Sequence, residues 1–472
     1  MRNIIKHIHF VGIGGSGMSG IAEVLANLDF IVTGSDIHEN KVVERLRVAS
    51  IEVFIGHKAE NITNANVVVV SSAIDTANPE INAAIEAGIP VIPRAEMLGE
   101  LMRFQKGIAI AGTHGKTTTT SLVATILMAG DLDPTFVVGG LVNSANANAK
   151  LGSGEYLVAE ADESDASFLN LQPDIVAVTN IDADHMTTYD NDFDKLTETF
   201  VAFIKNIPFY GRAVLCWDDE NVRAIQPLLN KPVLRYGFHE DADIRGENVR
   251  TKGASMVFDV SIKGKRRIDN IELNMPGEHN VLNALAAITI ADHLEVRTDD
   301  IKAALSGFSG VGRRFQKMGE LSVNGKQITL IDDYAHHPRE LAATLKAAAG
   351  CWPDKRIVVV FQPHRYSRTQ DLFDDFVLEL ADCIKLVICE VYPAGEAPIS
   401  GADGRALCKA IRNRGKTDPV FVPAVEELDS TLETLIEQGD IVLTLGAGSI
   451  GKASVDLAEK YGNFITKEVA HG

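Results

Sequence analysis

The strongest constraint in this chain is a strand-to-helix joint. The apolar run Ile108-Ala109-Ile110 leads into Ala111-Gly112-Thr113-His114-Gly115-Lys116-Thr117-Thr118-Thr119-Thr120, and then into the helix-like Ser121-Leu122-Val123-Ala124-Thr125-Ile126-Leu127. Strand, glycine loop and helix in that order make a nucleotide phosphate cradle. Small residues let successive backbone N–H groups turn toward phosphate oxygens, and the helix N-terminus adds positive dipole. Lys116 supplies a charge, and the Thr117 hydroxyl can ligate Mg²⁺. The loop departs from G-x-x-x-x-G-K-[ST], whose first glycine would fall on Ile110. A plain Gly/Thr turn before a helix is the alternative, but it would not require lysine and hydroxyl in this strand-to-helix context. The chain is therefore expected to use ATP.

Around this joint, continuous apolar runs alternate with amphipathic stretches. Val67-Val68-Val69-Val70, Tyr156-Leu157-Val158-Ala159, Ile175-Val176-Ala177-Val178, Ile357-Val358-Val359-Val360 and Leu386-Val387-Ile388 read as parallel strands covered on both faces, so the class is α/β. Weaker signals such as Ser255-Met256-Val257-Phe258-Asp259-Val260, among polar stretches from about 210 to 275, suggest an antiparallel flank. At 472 residues the chain exceeds one hydrophobic core. Breaks near Arg103-Phe104-Gln105-Lys106 and Gly307-Phe308-Ser309-Gly310-Val311-Gly312 divide it into three domains, 1–106, 107–316 and 317–472.

Composition excludes other classes. With 64 acidic against 45 basic residues the net charge is −19, which disfavours nonspecific nucleic-acid binding and polybasic membrane attachment. No apolar stretch approaches the ~20 residues that span a bilayer, so no membrane insertion is expected. Five cysteines lack C-x-x-C spacing, and Met1-Arg2-Asn3-Ile4 opens a strand-like run instead of a signal peptide. The expected compartment is a reducing cytoplasm.

Two further glycine motifs fit G-x-G-x-x-G. The first, Gly12-Ile13-Gly14-Gly15-Ser16-Gly17, follows Ile8-His9-Phe10-Val11, and the next strand ends in Asp36. NAD is the reflex reading, yet the motif's physical content is a tight turn bringing a diphosphate to a helix N-terminus, which any nucleoside diphosphate satisfies. The second, Gly446-Ala447-Gly448-Ser449-Ile450-Gly451, has no second strand and acid behind it, since the chain ends soon after Asn463-Phe464-Ile465-Thr466. It reads as a tight strand-helix turn facing the active cleft. A nicotinamide-dependent oxidoreductase built on both turns is the distant rival, and the Lys116 loop argues against it.

Glu160-Ala161-Asp162-Glu163-Ser164-Asp165 follows an apolar strand, placing Glu160 at the sheet edge where open α/β sheets bind ligands, as a Mg²⁺ ligand. A solvated acidic turn is the plain alternative. His185, in Asn180-Ile181-Asp182-Ala183-Asp184-His185, is a poor Mg²⁺ ligand on hard–soft grounds when judged by spacing alone.

Taken in order, the Gly112–Thr118 loop, the Glu160–Asp165 acids, Asn180 to His185, and Gly277-Glu278-His279-Asn280-Val281-Leu282-Asn283 resemble the ATP-dependent Mur ligases of peptidoglycan precursor synthesis, over essentially the whole chain. Asp332-Asp333-Tyr334-Ala335-His336-His337-Pro338 and Pro363-His364-Arg365-Tyr366-Ser367-Arg368-Thr369 resemble its alanine-adding branch. The resemblance implies a Rossmann-like N-terminal domain for the uridine diphosphate, a central P-loop ATPase-type domain with a mostly parallel sheet, and a Rossmann-like C-terminal domain for the amino acid. It implies an acid–amino-acid ligase of cell-wall biogenesis joining L-alanine to the carboxylate of UDP-N-acetylmuramate through an acyl phosphate. Substrates would be ATP, UDP-N-acetylmuramate and L-alanine; Mg²⁺ or Mn²⁺ would assist, and the protein would be a monomer or weak homodimer. Carried onto this sequence, it puts Gly112, Thr113, His114, Gly115, Lys116, Thr117, Thr118, Asn280, Asn283, Arg314 and Asp333 at ATP. Thr117, Glu160 and His185 fall at metal, and Gly12, Gly14, Gly15, Ser16, Gly17 and Ser71 at the UDP-sugar. Tyr334, His336, Arg365 and Arg368 fall at the amino acid, with Lys116, His185 and His336 catalytic. The carbamylated lysine that binds a second metal in similar ligases of later steps has no obvious counterpart in Asp192 to Phe200. The nearer rival is a ligase recycling a ready-made tripeptide onto the same sugar nucleotide, where a tyrosine is expected in place of Ser164.

Overall fold

The computed structural model describes residues 4–71, 74–142 and 147–462. The strand-like opening Met1-Arg2-Asn3 and the terminal Asn463-Phe464-Ile465-Thr466 lie outside the described residues. The chain divides into two compact units, one made of residues 1–249, 257–274 and 280–311, the other of 250–256, 275–279 and 312–472.

The first unit contains two sheets. In the N-terminal one, His7–Val11 lies between Ile31–Asp36 and Val67–Val70, with Glu52–Ile55 and Val91–Pro93 at the edges, all parallel. Ile8, Phe10, Val68 and Val69 are buried, as both-face coverage by helices demands. Among the described residues the second sheet has ten strands, and Lys106–Ala111 lies between Ile175–Val178 and Tyr156–Glu160, these three parallel. The antiparallel flank expected around residues 210 to 275 is present, preceded by Arg212–Cys216 and Val233–Gly237, which continue the parallel order. Buried Ala213, Val214 and Leu215 explain this, since a strand covered on both faces reads as an apolar run. The flank begins later, at Ile244–Lys252, Ser255–Ile262 and Arg266–Leu273, whose short connections permit only hairpins. The opposite edge adds an antiparallel pair, Thr135–Val142 with Ala147–Lys150.

In the second unit, Lys326–Asp333, Ile441–Leu445, Ile357–Phe361, Lys385–Cys389 and Val420–Val422 run parallel, in that order, with Gln316–Val323 antiparallel on the outside. Asn324 and Gly325 join that hairpin at φ 50° and 79°, the geometry of a two-residue turn. Among the described residues no helix is long and apolar enough to cross a membrane.

Candidate active site

Because Lys106–Ala111, Tyr156–Glu160 and Ile175–Val178 are parallel neighbours, the phosphate loop, the acid cluster and the Asn180–His185 segment leave the sheet from one edge. Both loop glycines are required there. At Gly112, φ is 127° and a methyl group would lie 2.1 Å from Thr179 Oγ1; at Gly115, φ is 84° and it would lie 2.5 Å from Asn283 Oδ1. The loop is fastened by its neighbour strand. His114 N–H donates to Asn180 Oδ1 (2.8 Å), Asn180 Nδ2 donates to the His114 carbonyl (3.0 Å), and Thr179 Oγ1 donates to the same carbonyl (2.6 Å). Gly115 caps the helix Lys116–Ala129 without a side-chain bond, and no acidic residue stands in its first turn, so its positive end suits an anion. Thr118, buried, belongs to that turn, and Thr113 Oγ1 accepts from the Asp182 amide at 2.9 Å.

Lys116 Nζ donates to both Glu163 oxygens (2.8 and 2.7 Å) and to the carbonyls of Gly112 (2.6 Å) and Thr113 (3.1 Å). Burial works against the ammonium, but the carboxylates of Glu163, Asp162 and Glu160 outweigh it and raise its pKa, so the charge stays. Burial lifts the Glu163 carboxyl to about 6, with Lys116 pulling the other way. Glu160, ending its strand, accepts from Gly139 N–H (2.6 Å) and from Thr117 Oγ1 (3.2 Å). A hydroxyl and a carboxylate at that separation are hard oxygen donors that fit Mg²⁺ or Mn²⁺. His185 has φ 54° and holds Nε2 3.5 Å from Asp184 Oδ2. On the helix Glu278–His293, Asn283 Nδ2 donates to Asn280 Oδ1 (3.2 Å) and its own Oδ1 accepts from Thr119 (3.2 Å). This asparagine pair therefore backs the phosphate loop. Thr179, Asn180 and Glu163 are the partners that sequence reading leaves without roles; polar residues just past an apolar strand were the available signal.

In the N-terminal sheet, Gly12 turns the chain at φ 80°, and Gly14 N–H donates to Asp36 Oδ2 at 2.9 Å. The acid behind the NAD reading thus ties down its own glycine turn. Gly15 caps the helix Ser16–Asn27 without a side-chain bond, and a methyl group on Gly17 would meet Arg94. Ser71, just beyond Val67–Val70, closes a turn by accepting from Ile74 N–H at 3.1 Å. The side chain of Ser16 lies outside the described residues.

In the second unit, both Asp333 oxygens accept backbone N–H groups, from Phe315 and Ala335, each at 2.7 Å. Burial lifts its carboxyl to about 6, against the pull of Arg314 and those amides. Arg313 and Arg314 lie over the Tyr334 ring at 5.0 and 5.2 Å. His336 packs edge-on to that ring, with Nδ1 3.0 Å from the Tyr334 carbonyl and 3.3 Å from Glu340 Oε2. Its ring is 6.0 Å from His364, which precedes Arg365 and stacks on Tyr392. Arg365 has φ 70°, a costly conformation for a non-glycine residue, and begins the short helix bearing buried Arg368. The Gly446–Gly451 turn is filled from within: Gln362 Oε1 accepts Ile450 N–H (2.9 Å), and a methyl group on Gly448 would strike Gln362 and Tyr392 at 2.6 Å.

Comparison with known proteins accounts for these parts together. Residues 7–106 match the Mur ligase family catalytic domain, 110–291 the Mur ligase middle domain, and 313–448 the glutamate ligase domain of the same family. A Burkholderia pseudomallei protein named UDP-N-acetylmuramate–L-alanine ligase is 58% identical over 460 residues, covering 97% of this chain and 99% of that one. The crystal structure of UDP-N-acetylmuramate-alanine ligase from Thermotoga maritima superposes with TM-score 0.81 at 31% identity, covering 97% of this chain and 99% of the other. A murein peptide ligase from Psychrobacter arcticus shares the fold, with TM-score 0.70 at 24% identity over 98% and 99% of the two chains. With its phosphate loop, acid cluster and three matched segments in order, this chain belongs to the Mur ligase family of ATP-dependent ligases.

Proposed function

We propose that the chain joins L-alanine to the carboxylate of UDP-N-acetylmuramate, cleaving ATP to ADP and phosphate through an acyl phosphate, in peptidoglycan precursor synthesis. The supporting observation is its near end-to-end likeness to a relative named for that reaction, in a chain whose Lys116 stands at a phosphate loop among carboxylates. It acts in the cytoplasm as a monomer or weak homodimer. Its domain joints fall at about 106 and 316, a division supported by family segments that end at 106 and resume at 313.

The chemistry explains the layout. A carboxylate is a poor electrophile, so phosphorylation must precede attack by the amine. That step gathers triphosphate, diphosphate sugar and carboxylate, which repel one another. Lys116 pairs with the ATP phosphates, and the Gly112–Thr118 backbone orients them toward the helix N-terminus. Thr117 and Glu160, with His185, would hold Mg²⁺ or Mn²⁺, which when bound would supply charge neutralisation at the phosphates. Asn280, Asn283, Arg314 and Asp333 serve the nucleoside end of ATP. Gly12, Gly14, Gly15, Ser16, Gly17 and Ser71 receive the UDP-sugar. Arg365 and Arg368 present fork-shaped donors to the alanine carboxylate beside Tyr334, and His336 accepts the ammonium proton, freeing the amine to attack.

ADP release by purified protein with ATP, Mg²⁺ and UDP-N-acetylmuramate, given each amino acid or the recycled tripeptide separately, tests the assignment. L-Alanine should give the highest kcat/KM; preference for the tripeptide would transfer the chain to the recycling branch.

A further inference from the structure

Arg94 begins the helix Arg94–Met102, immediately after the edge strand Val91–Pro93 of the N-terminal sheet, and no sequence motif marks it. Its guanidinium lies on the first turn of the helix Ser16–Asn27. A methyl group on Gly17 would fall 3.0 Å from Arg94 Nη1 and 3.3 Å from its Cζ, so glycine at 17 is what lets the cation settle there. On its other side, Arg94 Nη2 is 3.4 Å from Asp162 Oδ2. Asp162 directly precedes Glu163, the partner of Lys116. One guanidinium thus reaches from the glycine turn of the first sheet to the acid cluster of the second, inside a single compact unit.

Charge at the turn says what that cation is for. A helix N-terminus contributes roughly half a positive charge. The turn's own Asp36 carboxylate already accepts the Gly14 amide, placing a full negative charge beside the diphosphate position. A diphosphate bears about two more, so amides and dipole alone leave the site short of positive charge. A guanidinium, with its planar fork of donors, suits two neighbouring phosphate oxygens better than a point charge would.

We propose that Arg94 is a substrate-binding residue for the diphosphate of the sugar nucleotide, and that its contact with Asp162 holds it over Gly17. This rests on the UDP-sugar reading of the Gly12–Gly17 turn. The side chain is about a quarter exposed, so the guanidinium can meet phosphate while Nη2 keeps its contact with Asp162.

The probes are UDP, UMP and ATP, titrated calorimetrically into the wild-type chain and the variants Arg94→Ala, Arg94→Lys and Asp162→Asn. Arg94→Ala should weaken UDP at least tenfold and UMP less than threefold, shrinking the preference for the second phosphate. ATP affinity should stay within twofold, which also reports that the unit is folded. Arg94→Lys should fall between, because it keeps charge and loses the fork. Asp162→Asn should weaken UDP several-fold, by releasing the guanidinium from its place. Unchanged UDP affinity in Arg94→Ala, or equal loss of UDP and UMP with ATP binding intact, would overturn the proposal. A wild-type chain that binds UDP normally but adds no amino acid to the sugar would sink the assigned reaction and leave the Arg94 result standing.

Discussion

Lys116 holds four oxygen acceptors, two on Glu163 and two on its own loop. Removing the ammonium leaves Glu163 buried without its partner and the phosphates without their nearest fixed charge. Lys116→Ala is therefore expected to lower kcat by roughly 10²–10³, with UDP-sugar affinity nearly unchanged, because the sugar nucleotide is assigned to a different sheet. Rapid-quench measurement of phosphate release checks this, and normal release with all substrates present would remove Lys116 from the chemistry. That Lys116, Thr117 and Glu160 gather at one sheet edge was legible in the sequence because strand, loop and hydroxyl lie within one short motif, and the acid ends a visible apolar run. The Glu163 partnership was not, since it joins side chains 47 residues apart and depends on strand order. The Asn180 clamp on His114, across 66 residues, was hidden for the same reason.

Among the elements, buried strands announced themselves and edges did not. Val67–Val70 and Ile175–Val178 are apolar on both faces and could be read directly. Gln316–Val323 alternates weakly, and its pairing rests on the Asn324-Gly325 turn, a hairpin signal in the sequence that the apolar-run pattern overshadowed. Equally illegible was the polar core that locks the N-terminal sheet to the helix Pro79–Glu86. Enclosed Glu80 accepts from Ser35 Oγ and Asn61 Nδ2, both at 2.5 Å, and from Lys58 N–H at 3.3 Å, with His57 Nδ1 at 3.3 Å and His9 Nε2 at 3.7 Å. Burial alone would raise its carboxyl; the His9 imidazole 3.7 Å away and hydrogen bonds from Ser35 and Asn61 outweigh burial and hold it at about 2, against 4.5 ordinarily. A depressed carboxyl contributes stability that is fully present above pH 4.5 and is lost as pH falls toward about 2. The loss should be on the order of 2 kcal/mol after allowance for screening. Hydrogen exchange of the His7–Val11 amides should show the gap between wild type and Glu80→Gln closing over that pH range. A gap independent of pH would mean the carboxylate does not hold the sheet through its charge.

At the scale of the whole molecule, a chain of net charge −19 handles three anionic groups in one reaction, so its few well-placed cations matter more than its overall balance. Lys116 and Arg94 sit at glycine turns of two sheets in one unit, and Arg365 and Arg368 lie in the other unit. Two of the three glycine turns looked alike in sequence, and structure separates them by what fills their amides. The Gly446–Gly451 turn is plugged by Gln362 and the Gly12–Gly17 turn is partly held by Asp36, whereas the Gly112–Thr118 loop sets the Lys116 ammonium and the Thr117 hydroxyl beside Glu163 and Glu160. Lysine, hydroxyl and sheet-edge carboxylate at one loop have the form of a nucleoside triphosphate cradle, which is why the reaction is assigned to phosphorylation there. The most direct test is oxygen transfer. UDP-N-acetylmuramate labelled with ¹⁸O in its carboxylate should, on reaction with ATP and L-alanine, yield inorganic phosphate carrying the label. Unlabelled phosphate alongside normal product formation would contradict an acyl phosphate and the account built on it.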